Sequence, residues 1–308
     1  MKRELLKGRN VFAEAEGLLA VGENELILWR VPSLGGNDEM VYGIDRIATT
    51  TAFKRGTVKV NDGLLVFKLG RIAVKAELID GGESPPEVPE IPSALMDFPA
   101  ECLKTTILAS GKPNERELYA TVQFEPSRIA ATDGRRLHVC NVDTPAESPV
   151  LIRAEHIKTL LKLQPERYGV TSNGIYAEGN DWAYWAFPLE GKLPDYEQIV
   201  PRQFAAEARP NDEWRKDLNT LLKARAKDED GVVIAGDGVA RTSLGEIEDF
   251  AEIVNPDALG RGVMLNVRYL RDALEHTEGG RILFQGDTSA PVLIDGGERW
   301  AVLATMRW

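Results

Sequence analysis

Asp133 and His138, five residues apart, are the pair whose types and spacing come nearest to acid–base chemistry in this 308-residue chain. They lie in "IAATDGRRLHVC", residues 129–140. Asp-Gly between two apolar runs predicts a hairpin, because the turn needs positive φ and glycine supplies it without steric cost. There Asp133 is a turn former and His138 a strand residue, so catalysis is not expected of them. The hairpin does not require the two arginines after the turn, Arg135 and Arg136, which raises the question of a site at its edge. Elsewhere, Cys102 and Cys140 lack CxxC spacing, and His138, His156 and His276 lack HxxxH or HExxH spacing. Each cysteine reads as a small buried hydrophobe, and neither a metal nor another cofactor is expected. No GxSxG, P-loop or helix-opening GxGxxG is present, so no enzyme is expected either.

The composition, 43% hydrophobic and 28% charged, is that of a soluble globular chain. No run approaches the roughly 18 apolar residues of a membrane helix, and "MKRELLKGRN" lacks the apolar core of a signal peptide. The expectation is a cytoplasmic protein with no membrane partner. A net charge of −11 argues against a uniformly basic nucleic-acid coat, but does not say where the positive charges sit.

The chain repeats. Segments starting at Tyr42, Ile152 and Leu265 each read as an amphipathic helix followed by three short strands separated by Gly, Asn or Asp turns. Before each lies a set of alternating strands: "VFAEAEGLLAVGENELILWRV", "VQFEPSRIAATDGRRLHVCNV" and "VVIAGDGVARTSLGEIEDFAEIV". A further helix precedes the second and third sets, stacking Leu103 on Ile107 in one and Trp214, Leu218, Leu221 and Leu222 in the other. None precedes the first set, where only about ten residues are available. Pro-rich linkers near 82–93 and 200–210 set boundaries at 1–90, 91–204 and 205–308, giving three α+β domains of which the first lacks a helix.

The expected helices, 43–55, 100–112, 153–162, 211–227 and 267–275, are each neutral or net basic, so the acidity lies elsewhere. Arg46 and Lys54, Lys158 and Lys162, and Lys216 and Lys223 have spacings that share a helix face opposite the apolar stripe. Such faces suit a phosphate backbone without choosing bases.

With the repeats in hand, the chain resembles the bacterial DNA polymerase sliding clamp, the β subunit of the replicase. The resemblance rests on "ATDGRRL", "GKLPDYEQIVP", "LNVRYLRDAL" and the terminal "VLATMRW", which occur in the family's order. It implies a head-to-tail homodimeric ring around double-stranded DNA, with helices lining the hole and sheets outside. Arg46, Lys54, Lys104, Lys158, Lys162, Lys216, Lys223, Arg268 and Arg271 would then face DNA without sequence specificity. It also implies a pocket that takes short peptides of a DNA polymerase, a clamp loader and other partners. Carried over by motif, that pocket comprises Thr132, Gly134, Arg135, Arg136, Leu137, Pro194, Gln198, Ile199, Asn266, Tyr269, Val302, Leu303, Ala304, Met306 and Arg307. Arg135 and Arg136 would hydrogen-bond an incoming backbone or acidic side chain there.

Ring closure has its own rationale. The edge strand "GRIAVKAEL" carries Arg71, Val74 and Lys75, while "GEIEDFAEI" carries Glu246, Glu248 and Asp249, so two unpaired edges of opposite charge can join. The chain departs from the family pattern at Arg135, where a His is usual, at Gln198, often an Arg, and in its tail, which lacks the usual Pro and ends in Trp308. The missing helix and altered tail motivate a second reading, an interaction protein of clamp fold that binds replication partners without encircling DNA.

Overall fold

The computed structural model describes residues 10–14, 17–21, 25–30, 40–42, 57–61, 64–69 and 72–77 as strands, and residues 88–180, 182–224, 231–243 and 245–307 throughout. The expected helix with Arg46 and Lys54, the segment before the first strand, Arg71 and Trp308 lie outside the described residues. Along the first repeat run β1 (Asn10–Glu14), β2 (Gly17–Val21), β3 (Glu25–Arg30), β4 (Met40–Tyr42), β5 (Thr57–Asn61), β6 (Leu64–Leu69) and β7 (Ile72–Glu77). The second holds β8 (Met96–Asp97), α1 (Ala100–Thr106), β9 (Thr121–Glu125), β10 (Arg128–Thr132), β11 (Arg136–Asn141), β12 (Val150–Arg153), α2 (Ala154–Leu163), β13 (Arg167–Thr171), β14 (Gly174–Gly179) and β15 (Trp182–Ala186). The third holds β16 (Ala206–Pro210), α3 (Trp214–Ala224), β17 (Gly231–Ile234), β18 (Ala240–Thr242), β19 (Gly245–Ile247), β20 (Ala251–Val254), β21 (Val263–Asn266), α4 (Val267–His276), β22 (Arg281–Phe284), β23 (Val292–Asp295) and β24 (Arg299–Leu303).

Two compact units result. The first joins Met1–Phe98 to Lys158–Pro188 and holds an eight-stranded sheet, β4-β1-β2-β3-β15-β14-β13-β8, and a three-stranded one, β5-β6-β7. In the larger sheet β3 pairs antiparallel with β15, from Trp182 opposite Trp29 to Ala186 opposite Glu25. All five residues of β15, "WAYWA", are buried rather than alternating. Tyr184 donates its hydroxyl proton to the buried Glu25 carboxylate, and Leu26, Tyr176, Ala183 and Trp185 form a core cluster. Gly174 turns the β13–β14 hairpin at φ +120°, where an added Cβ would meet the Ala186 carbonyl oxygen at 2.0 Å.

The second unit, Pro99–Ile157 with Leu189–Trp308, holds a nine-stranded sheet, β12-β9-β10-β11-β24-β23-β22-β16-β20, and a four-stranded one, β19-β18-β17-β21. Helices α3 and α4 bury Trp214, Leu218, Leu270, Ala273 and Leu274 in one core with Val232, Ile234, Leu265, Ile282, Phe284 and Leu303. Asn266 starts α4 by accepting a hydrogen bond from the Tyr269 amide at 3.1 Å, satisfying a donor left free in the first turn. The segment expected to be helical over 100–112 is shorter: α1 ends at Thr106, and a 3-10 turn, Ile107–Ala109, follows.

The segment "GEIEDFAEI", expected to be one edge strand, is divided between two sheets. β19 edges the four-stranded sheet, β20 edges the nine-stranded one, and Asp249 between them takes φ +50°. The cause is Phe250, which is fully buried, while Asn211 holds both the Asp249 carbonyl (2.7 Å) and the Phe250 carbonyl (2.9 Å). Glu246 therefore stands on the edge strand and the exposed Glu248 and Asp249 do not.

His138 of β11 and His276 of α4 stack with ring centroids 4.6 Å apart, both fully buried. His276 donates from Nε2 to the Val139 carbonyl (2.9 Å) and accepts at Nδ1 from the Thr105 hydroxyl (3.0 Å); His138 Nδ1 donates to the Thr105 carbonyl (3.0 Å). Burial pushes His276 down to about 4, and burial with the neighbouring His276 ring pushes His138 well below its ordinary 6.5. The folded state thus refuses protons that the unfolded chain takes up, so stability is full above about pH 6.5 and falls as pH drops towards 4. For His276 alone the loss is on the order of 3 kcal/mol. Urea midpoints measured between pH 7 and 4 should decline accordingly, and His276→Gln should flatten that decline while lowering stability throughout.

Candidate functional site

The hairpin at Asp133 is fixed by its own side chains. Thr132 Oγ1 accepts from the Gly134 amide (3.0 Å) and donates to the Arg136 carbonyl (2.6 Å), while Asp133 Oδ1 accepts from the amides of Arg135 (2.9 Å) and Arg136 (3.0 Å). Gly134 sits at φ +85°, and a Cβ there would press on the Tyr119 ring at 3.0 Å. Asp133 is therefore a turn former and His138 a buried strand residue, so the two make no acid–base pair.

β11 leaves the turn and pairs with β24, with Arg136 opposite Leu303 and Leu137 opposite Val302. Beyond β24 the tail stays attached: the Ala304 amide donates to the Arg135 carbonyl (2.9 Å), Thr305 to the Ser289 carbonyl (2.8 Å), and the Met306 amide to the Met264 carbonyl (2.8 Å). The segment from Leu193 to Ile199 approaches from the other side. Its Leu193 amide bonds Gln123 Oε1 (2.8 Å) and its Tyr196 hydroxyl bonds Glu125 Oε1 (2.5 Å), while Arg128 bridges Glu125 and Glu197. Burial first, and the Glu125 hydrogen bond second, push the Tyr196 phenol far above its ordinary value, so it stays a neutral donor.

Between these three stretches opens a pocket of ≈ 310 Å³. Of the residues expected there, Thr132, Gly134, Arg135, Arg136, Pro194, Ile199, Val302 and Ala304 line it. Leu137 lies below, in a buried cluster with Val302, Leu193 and Tyr196, whereas Leu303 points to the opposite face of the sheet and joins the helix core. Gln198 is exposed and donates to Asp195 (3.0 Å); Asn266 caps α4; Tyr269 is half-buried beside Arg136; Met306 and Arg307 follow the tail away. Tyr119, Asp195, Tyr196 and Pro291 also line the pocket and were not foreseen. The walls combine an exposed Ile199 with backbone-rich turns, which suits a few apolar side chains of a bound chain more than a polar small molecule.

The two arginines differ. Arg135 is exposed. Arg136, only 9% exposed, is already engaged: Nε donates to Asp133 Oδ2 (3.0 Å), Nη1 to Asp272 Oδ2 (2.7 Å), and the guanidinium stacks 4.3 Å from the Tyr269 ring centre. It thus holds the hairpin on α4 while also lining the pocket. Asp272, buried in the middle of α4, is the residue that the sequence reading missed. An acid flanked by Leu270, Ala273 and Leu274 on an apolar stripe was the available signal.

Of the residues expected to face DNA, those described belong to both units. Lys158 and Lys162 are exposed on α2, in one unit. In the other, exposed Lys104 and Lys216 lie near Glu101 (3.7 Å) and Glu213 (2.8 Å), and Lys223 and Arg268 are exposed on α3 and α4. Arg271 is turned towards Asp272 (2.7 Å) and Asn219 (3.4 Å) rather than standing free. Of the residues expected at a dimer interface, Val74 and Lys75 fall on β7, and Glu246 lies 3.5 Å from Arg241. Among the described residues no group of His, Cys, Asp or Glu is placed to hold a metal ion, and no helix is long and apolar enough to cross a membrane.

Removing one partner of a buried ion pair strands the other charge, so Asp272→Ala should cost about 3 kcal/mol in urea unfolding. The double variant Arg136→Met, Asp272→Leu should recover part of that loss; costs that merely add would show that the pair is not coupled.

No protein-family model matches the chain. A beta sliding clamp of Salmonella typhimurium is 30% identical over 83 residues, 24% of this chain and 23% of that protein, so the match spans about a quarter of the relative's length. The DNA polymerase III beta subunit of Thermotoga maritima superposes with a TM-score of 0.76 at 16% identity, covering 98% of this chain and 92% of that one. The Helicobacter pylori beta clamp, solved bound to a DNA ligase peptide, gives 0.70 at 15% identity, covering 97% and 92%. The chain therefore has the fold of the DNA polymerase III β-subunit sliding clamp along nearly its whole length.

Proposed function

We propose that the chain is a DNA sliding clamp: two copies close head to tail into a ring around duplex DNA and tether a polymerase and other partners through the pocket. It has three domains, 1–90, 91–204 and 205–308, and no chemistry of its own. The observation that carries this reading is the strand order. Twice, the third strand of one repeat's front half pairs antiparallel with the last strand of the next repeat's back half: β3 with β15, and β11 with β24. By the same rule the remaining pair is β19 and β7. Each ends a sheet among the described residues, and the opposite edge of β19's sheet, β21, is approached by the tail at Met264. Pairing β19 of one copy with β7 of another repeats the internal junction, and the reciprocal contact closes the assembly by two-fold symmetry. Lys75 on one strand and Glu246 on the other favour that register over like pairing.

In such a ring the DNA is held by topology, so its contacts need only be weak, wet and indifferent to sequence. Exposed lysines on α2 and α3 and Arg268 on α4 supply that kind of contact within an acidic chain. The pocket is the tether. An apolar trough with the exposed Arg135 at its rim suits a peptide with large apolar anchors beside an acidic residue. That the H. pylori clamp was solved bound to a DNA ligase peptide supports a peptide as the occupant.

Two separable losses test the reading. The protein should sediment as a dimer of the 34.0 kDa chain, and Glu246→Lys should weaken that dimer about tenfold while leaving peptide binding intact. Ile199→Asp, at an exposed position, should weaken a polymerase-derived peptide at least about tenfold without touching the dimer. Unchanged peptide affinity would mean that the pocket is not the tether.

A further inference from the structure

Two arginines share one buried carboxylate. Asp272, in the middle of α4, accepts from Arg136 Nη1 at Oδ2 (2.7 Å) and from Arg271 Nε at Oδ1 (2.7 Å), and its side chain is only 5% exposed. Towards the pocket the contacts continue to Asp133, whose Oδ2 accepts from Arg136 Nε (3.0 Å) and whose Oδ1 holds the turn amides of Arg135 and Arg136. Towards the helices, Arg271 Nη1 donates to Asn219 Oδ1 of α3 at 3.4 Å. An unbroken line of polar contacts therefore runs from the turn that lines the pocket, through α4, to α3.

The two arginines differ in their freedom to move. Arg136 is 9% exposed and stacked on Tyr269, whereas the Arg271 side chain is 31% exposed and its bond to Asn219 is long. Arg271 also stands among cations. Exposed Arg268 lies one turn before it on α4, and on α3 the exposed Lys216 and Lys223 lie three residues before and four after Asn219. A polyanion settling on that surface offers Arg271 new oxygens, while Arg136 stays between Asp133, Asp272 and Tyr269. Arg136 and Arg271 repel each other across the carboxylate they share, so the departure of Arg271 leaves Asp272 to hold Arg136 more strongly. A more firmly held Arg136 fixes the Asp133 turn, and a pocket wall already fixed costs an incoming peptide less to order.

We propose that Arg271 is a phosphate-responsive switch on the pocket. Phosphate groups of duplex DNA at the α3–α4 surface draw it from Asp272, and Asp272, Arg136 and Asp133 pass the change on as tighter peptide binding. The proposal rests on the clamp reading and adds regulation to it: the pocket favours partners when the chain is on DNA. The coupling is reciprocal, so peptide strengthens duplex binding by the same factor.

The test titrates the purified full chain against a fluorescent peptide with two apolar anchors and an acidic residue, with and without a saturating short blunt duplex at constant low ionic strength. Peptide affinity should rise about fivefold with duplex, and labelled duplex should bind about fivefold tighter with saturating peptide. Arg271→Gln should bind peptide without DNA as tightly as the wild type does with it, and should lose the DNA effect. Arg268→Gln should weaken duplex binding but keep the fivefold factor once duplex is saturating. A general loosening of the fold would change affinities without producing this ratio. Failure of the wild type to bind the peptide or the duplex would overturn the clamp reading and this proposal with it. Binding of both with the same affinities alone and together, or a DNA effect that survives Arg271→Gln, would overturn the proposal and leave the clamp reading standing.

Discussion

A strand at the end of a sheet leaves a row of backbone donors and acceptors unpaired, and the whole architecture answers that constraint. The front half of a repeat, such as β9 to β11, ends in a bare edge, and so does a back half such as β22 to β24. Neither closes on itself. They are joined by β11 and β24, five residues in antiparallel register from Arg136 opposite Leu303 to Cys140 opposite Arg299. The same solution recurs between β3 and β15. Because each junction links one repeat to the next, the sheet runs through the repeat boundary; in the proposed ring a second copy completes a third junction.

Everything else in the second unit is arranged around the β11–β24 seam. On one face Leu137 and Val302 form an apolar floor beneath the pocket; on the other Leu303 joins the helix core. At one end of the seam Arg136 is clamped between Asp133 and Asp272, so the turn that shapes the pocket is tied to α4. Towards the middle the stacked His138 and His276 tie β11 to the same helix. The pocket's geometry is thus set by contacts deep in the structure, while its exposed Ile199 and Arg135 remain available for recognition. In the proposed ring this separates tasks: the seam holds shape, the helix faces meet phosphate, and the pocket meets partners.

The sequence made much of this legible because period and turn chemistry are local. The repeat, the Asp133–Gly134 hairpin, the extents of α2 and α4 and eight of the pocket's lining residues could be read directly or through motif resemblance. What it hid depends on the third dimension. Arg136 looks like a second free cation beside Arg135, since nothing nearby in sequence reveals that Asp272 lies against it. "GEIEDFAEI" reads as one alternating strand, and only the burial of Phe250 shows why it breaks between two sheets. Tyr119 and Pro291 belong to the pocket without belonging to any motif, being delivered by loops whose position no spacing encodes.

The central claim is that the chain grips DNA by enclosing it, and topology can be measured apart from affinity. The protein is assembled on a nicked circular duplex, free protein is removed at moderate salt, and the DNA is then cut once with a restriction enzyme. The account predicts stable association with the circle and rapid loss after linearisation, as the ring slides off the ends. Equal retention on circular and linear DNA would contradict it.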